Sequence, residues 1–80
     1  MTDATRAQVR RILERVRGGR LEGRAIVTLM RQTKTTIKQL SQRMGITMKR
    51  IRQVRSDGLK GRALIRDWVQ GISGEDPGNL

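Results

Sequence analysis

Eighty residues carrying a net charge of +11, with 35% hydrophobic side chains, one aromatic (Trp68) and neither cysteine nor histidine, leave few protein classes open. A chain this short closes one thin core, so two domains and a deep substrate cavity are excluded. The absent cysteine and histidine remove disulfides, thiolate nucleophiles, imidazole bases and nearly every zinc arrangement, and the cation surplus calls for a polyanionic partner.

The first element predicted is a helix over Thr5 to Arg17. Thr5 with Gln8 fits a capping box, Val9, Ile12, Leu13 and Val16 recur at i, i+3, i+4, i+7, and Gly18-Gly19 ends the run. This aliphatic stripe suits core packing or self-association. "GGRLEG" (18–23) reads as a loop by its three glycines. A second helix is predicted over Arg24 to Gln32, with Ile26, Leu29 and Met30 on its apolar face; the β-branched "AIVT" would also allow a strand.

Thr36 and Gln39 form another capping box, and Ile37, Leu40 and Met44 line one face of a third helix until Gly45 stops it. Thr47 is placed to cap a fourth helix, whose buried side is Ile51 and Val54. "SDGLKG" (56–61) reads as a loop, and a last helix follows over Arg62 to Ile72 with Ile65, Trp68, Val69 and Ile72 on one stripe. Residues 1–74 therefore read as a single all-α domain of four to five helices, and 75–80 ("EDPGNL") as a disordered tail.

Charge is distributed unevenly along this chain. From Gly23 to Ser56 there are nine Lys or Arg and no Asp or Glu, whereas a merely solvated helical surface mixes signs to gain i,i+4 pairs. At about 100° per residue, residues 47–56 separate into two faces. Ile51 and Val54 share one, with Thr47 and Met48 beside them; Lys49, Arg52, Gln53 and Ser56 share the other at i, i+3, i+4, i+7. Arg and Lys reach guanine O6 and N7, Gln pairs bidentately with adenine, and Ser does either, which is the chemistry of major-groove reading. Arg50 and Arg55 flank this face and suit phosphates, as do Arg31, Lys34, Lys38 and Arg43 in the same acid-free stretch.

On these residues, 37–56 resemble the helix-turn-helix of phage-repressor (Cro-like) DNA-binding regulators. Leu40 and Met44 match the inward positions of the first helix, Ser41 the small residue where alanine is commoner, Gly45 the turn, and Ile46, Ile51 and Val54 the rest of the local core. The likeness extends loosely over residues 24–72, while the helix from Thr5 to Arg17 has no place in the minimal pattern. The resemblance implies that the second helix lies in the major groove of double-stranded DNA, with Thr47, Met48, Lys49, Arg52, Gln53 and Ser56 as base readers. It implies a small transcriptional repressor, one that regulates its own operon on a mobile element.

A homodimer on an inverted repeat is expected, because one such helix covers only a few base pairs. Of the two remaining apolar stripes, the C-terminal one is expected to close the monomer core and the N-terminal one to meet the partner. The alternative is an RNA-binding module, since "GLKG" (58–61) has the spacing of the backbone-clamping loop of KH domains. The scattered carboxylates Glu14, Glu22, Asp57 and Asp67 argue against an enzyme. No cofactor, metal or small-molecule ligand is expected. No apolar run reaches the roughly eighteen residues of a membrane span and "MTDATRAQVRR" has no signal-peptide core, so a cytoplasmic, nucleoid-associated protein with no membrane partner is expected.

Overall fold

The computed structural model describes residues 3–75 and 77–79. Among these, five α-helices, two short strands and a 3-10 turn follow in the order α1 (Asp3–Glu14), β1 (Arg20–Leu21), α2 (Gly23–Gln32), α3 (Ile37–Met44), α4 (Met48–Asp57), β2 (Leu59–Lys60), α5 (Arg62–Ser73) and the turn Pro77–Asn79. The chain is a small helical domain, and no described helix is long and apolar enough to cross a membrane.

α2 lies at the centre because its apolar face is the widest: Ala25, Ile26, Leu29 and Met30 are all buried, and the helix packs on α1, α4 and α5. Helical spacing, not the β-branched "AIVT", decides its state. Around it the core takes Val9 and Ile12 from α1, Leu40 from α3, Ile51 and Val54 from α4, and Ile65, Trp68, Val69 and Ile72 from α5.

Both apolar stripes are therefore spent inside the monomer. Val9 is fully buried and Ile12 is 2% exposed, with Leu13 and Val16 packed partly buried against the same cluster. This corrects the expected division of labour, in which the N-terminal stripe was left for a partner. A thin core needs every aliphatic stripe it has, and α2 can be covered on all sides only if α1 and α5 both turn inward.

α1 starts at Asp3, ahead of Thr5, so Thr5 sits within the helix and not at its cap. It also ends earlier than the sequence suggests. Arg15 and Val16 donate backbone bonds three residues back, at 3.0 and 3.1 Å, and the Arg17 guanidinium donates to the carbonyls of Glu14 and Val16. Arg17 and Arg20 then exchange both backbone hydrogen bonds at 3.0 Å around Gly18 and Gly19, whose φ values of 59° and 74° make a tight two-residue reversal of the primed kind.

The two glycine-rich segments expected as loops form a sheet. β1 and β2 pair antiparallel, with Leu21 opposite Leu59 and Arg20 opposite Lys60; the leucines point into the core and the cations outward. Two residues per strand are too few to show a period of two, and the ladder joins segments separated by three helices. The junctions on either side interlock. A Cβ at Gly23 would stand 2.9 Å from the Val54 carbonyl oxygen and closer still to that of Arg55, so the start of α2 sits directly on the end of α4.

In the C-terminal segment, Glu75 forms an ion pair with Arg6 at 3.3 Å and Pro77–Asn79 make a 3-10 turn, where a disordered tail was expected; residues 76 and 80 of that tail lie outside the described residues.

Candidate nucleic-acid interface

The segment from Thr36 to Asp57 is two helices held at a fixed turn by side chains as well as by packing. Gln39 N donates to Thr36 Oγ1 at 3.1 Å and Thr36 N donates to Gln39 Oε1 at 3.0 Å, closing the capping box of α3. α3 ends at Gly45, in the left-handed region at φ 66°, with Gly45 N donating to Ser41 O at 2.9 Å. The Ser41 hydroxyl donates to the Ile46 carbonyl across the turn. Thr47 is extended, and its Oγ1 accepts from Arg50 N at 3.1 Å, which opens α4. Fully buried Ile51 and Val54 then set the rotation of α4 about its own axis.

That rotation leaves the polar side outward. Thr47, Met48, Lys49, Arg52, Gln53 and Ser56 are all exposed, and among the described residues the side chains of Lys49, Arg52, Gln53 and Ser56 have no hydrogen-bond or ion-pair partner. The capping bond occupies an oxygen lone pair of Thr47 and leaves its O–H free to donate. Met48 is 42% exposed, which leaves an apolar group that can meet the methyl group of thymine.

The six cations assigned to phosphates divide into two groups. Arg31, Lys34, Lys38 and Arg50 are exposed with no side-chain partner among the described residues. Arg43 instead reaches α5, where its Nη1 donates to the carbonyls of Gly71 and Ile72 at 3.3 Å each and caps the orphan end of that helix. Arg55 is half-buried, with Nη1 3.9 Å from the sulfur of Met30. Sequence spacing places these two correctly on their helices but does not reveal the structural contacts they make.

Ion pairing is confined to other parts of the surface. The pairs among the described residues are Arg6 with Glu75 and Arg15 with Glu22, so none of the nine cations between Gly23 and Ser56 is neutralised. Several also stand where they weaken the fold. Lys38 lies in the first turn of α3, and Lys49 and Arg50 lie in that of α4, against the positive end of each helix dipole and with no acid in either turn. An anion at these helix starts would relieve the repulsion.

Two exposed cations, Arg20 and Lys60, escaped the sequence reading because they lie in segments taken as loops; only the ladder brings them side by side. The "GLKG" stretch belongs to that ladder, with Leu59 buried and Gly61 N donating to Gly19 O at 2.7 Å. No family model matches the chain, and neither a curated protein nor a solved structure is significantly similar to it.

Proposed function

We propose that the chain is a sequence-specific double-stranded DNA-binding regulator that lays α4 in the major groove. One observation carries this reading: Lys49, Arg52, Gln53 and Ser56 form an exposed row without side-chain partners among the described residues, on a helix whose opposite side, Ile51 and Val54, is fully buried. Such a row is rigidly aimed and chemically unspent. Its groups are those that distinguish base edges, and the cations of the acid-free segment 23–56 that contains it supply the attraction to phosphates.

The resemblance of residues 37–56 to Cro-like regulators supports a small repressor acting on the nucleoid, its bound form blocking a promoter that overlaps its site. Two copies on an inverted repeat fit a helix that spans few base pairs. With both aliphatic stripes packed into the core, the large apolar side chains left exposed among the described residues are Met48 and Leu64, so pairing is proposed to rest on DNA more than on an apolar interface. Sedimentation of the complex on a full inverted repeat reads this directly, since a stable 1:1 complex with no 2:1 species would exclude it.

The function itself is tested by the affinity for duplex and single-stranded nucleic acid across a salt series. Preference for duplex DNA, with a log–log slope that falls by about 0.9 for each phosphate engaged, is the expected result. A dissociation constant that hardly moves between low and physiological salt, or a preference for single-stranded RNA, would overturn it.

A further inference from the structure

The β1–β2 ribbon places like charges in direct opposition. Arg20 and Lys60 are register partners, and Arg17 stands opposite Arg20 across the Gly18-Gly19 turn, so three cationic positions form one row across the ribbon. Residues directly opposite in an antiparallel pair share a face at about 5 Å, and like charges there destabilise the ladder. The row points away from the core, since its neighbours Leu21 and Leu59 point in.

No ion pair among the described residues compensates it. The Arg17 guanidinium is engaged with the carbonyls of Glu14 and Val16, but Arg20 and Lys60 have no side-chain partner among the described residues. Two carboxylates, Glu22 and Asp57, line the same open groove as Arg20 and Lys60. Glu22 is paired with Arg15 at 3.6 Å, and Asp57 makes no ion pair among the described residues. A glutamate at position 60 would have given the ladder a cross-strand ion pair; the chain has a second cation there.

The row is also close to the reading face. Lys60 follows Ser56, the last member of that face, by four residues, which bounds their Cα separation at about 14 Å. Duplex DNA presents one phosphate charge for about every 1.7 Å of axis, so a backbone beside the groove entered by α4 comes within range of this ribbon.

From this we infer that Arg20 and Lys60 form a second DNA contact, a phosphate grip on the sugar–phosphate backbone flanking the groove that α4 reads. The inference rests on the proposed function of α4. Its contribution is sequence-independent, because a guanidinium and an ammonium on a backbone carry no base information.

The test uses the full chain, a duplex selected by the wild type from a randomised pool and an unselected duplex of equal length, each titrated across a salt series. Arg20→Gln and Lys60→Gln should each lower the log–log slope by about 0.9, and the double variant by about twice that, with the same fold-loss on both duplexes. Lys60→Arg should retain the wild-type slope. Lys60→Glu should weaken binding further while the free protein melts no lower than wild type, since the new carboxylate faces Arg20 across the ladder. If the double Gln variant keeps wild-type affinity and slope while Arg52→Ala loses the selected site, the ribbon is not a contact and the reading of α4 stands. Failure of the wild type to bind either duplex overturns both.

Discussion

The hydroxyl of Ser41 donates to the carbonyl oxygen of Ile46, five residues ahead and on the other side of the turn between α3 and α4. The same residue's carbonyl accepts from Gly45 N at 2.9 Å and from Ile46 N at 3.3 Å, so Ser41 holds the turn from both its side chain and its backbone. In this chain the position is more than a small residue between close helices. Ser41→Ala should keep the packing but leave the Ile46 carbonyl without this donor, at about 1 kcal/mol of stability. Urea unfolding measures it; an unchanged midpoint would mean that the hydroxyl bond contributes nothing net.

Two glycines bear on the geometry of the α3–α4 unit for different reasons, Gly45 at its turn and Gly23 against the end of α4, and substitution separates them. Gly45 has φ 66° but open space where a Cβ would be, so its cost is conformational: Gly45→Val should lose roughly 1–2 kcal/mol or more and weaken DNA binding with it, while Gly45→Asn should be milder. Gly23 is limited by space, since a Cβ there meets the backbone carbonyls of Val54 and Arg55. Gly23→Ala should cost about 1–3 kcal/mol and displace the end of α4. Thermal unfolding of the three variants gives the ranking, and an Asn variant as damaging as Val would contradict the left-handed assignment at Gly45.

Lys34 stands at φ 55°, a conformation that glycine or asparagine normally fills, just after α2. The bonds around it are those of a Schellman end: Thr35 N donates to Met30 O at 2.9 Å and Lys34 N to Arg31 O at 3.2 Å. Lys34→Gly should therefore stabilise the fold by about 1 kcal/mol. If the exposed ammonium contacts a phosphate, the same variant lowers the salt slope by about 0.9. Opposite movements of stability and binding are the expected outcome; a gain in both would remove Lys34 from the interface.

On the reading face, Lys49→Ala, Arg52→Ala and Gln53→Ala should each cost roughly 1–3 kcal/mol on the selected site and relax preference at one position of it. All three side chains are exposed and have no partner among the described residues, so the folded state should tolerate their loss. Binding to selected and unselected duplexes, measured side by side, separates readers from phosphate contacts: an equal loss on both would mark that residue as a backbone contact.

These positions share a physical pattern. Lys34 in a left-handed conformation, Lys38, Lys49 and Arg50 at the positive ends of helices, and Arg20 opposite Lys60 each set a local preference against the residue present. Departures from local consistency concentrate at sites kept for function, and here every one of them is a cation. An external anion would offset the charge repulsion at Lys38, Lys49, Arg50, Arg20 and Lys60, whereas the cost at Lys34 is one of backbone conformation.

The helices, the turn at Gly45 and the outward row on α4 were legible in the order of residues, because each depends on interactions within a few positions. Apolar side chains recurring at helical spacing define a buried stripe, Thr36 and Thr47 meet backbone N–H groups three residues ahead, and only a residue at ease with positive φ ends α3 as Gly45 does. What tertiary structure alone decided depends on contacts between distant segments. Periodicity identifies an apolar face but not what covers it, so the inward turn of both Val9–Ile12 and Ile65–Ile72 appears only when α2 is seen to need both. The recruitment of Arg43 to the end of α5, and the ladder that sets Arg20 beside Lys60, arise from separations of 28 to 40 residues in the chain, over which local spacing carries no information.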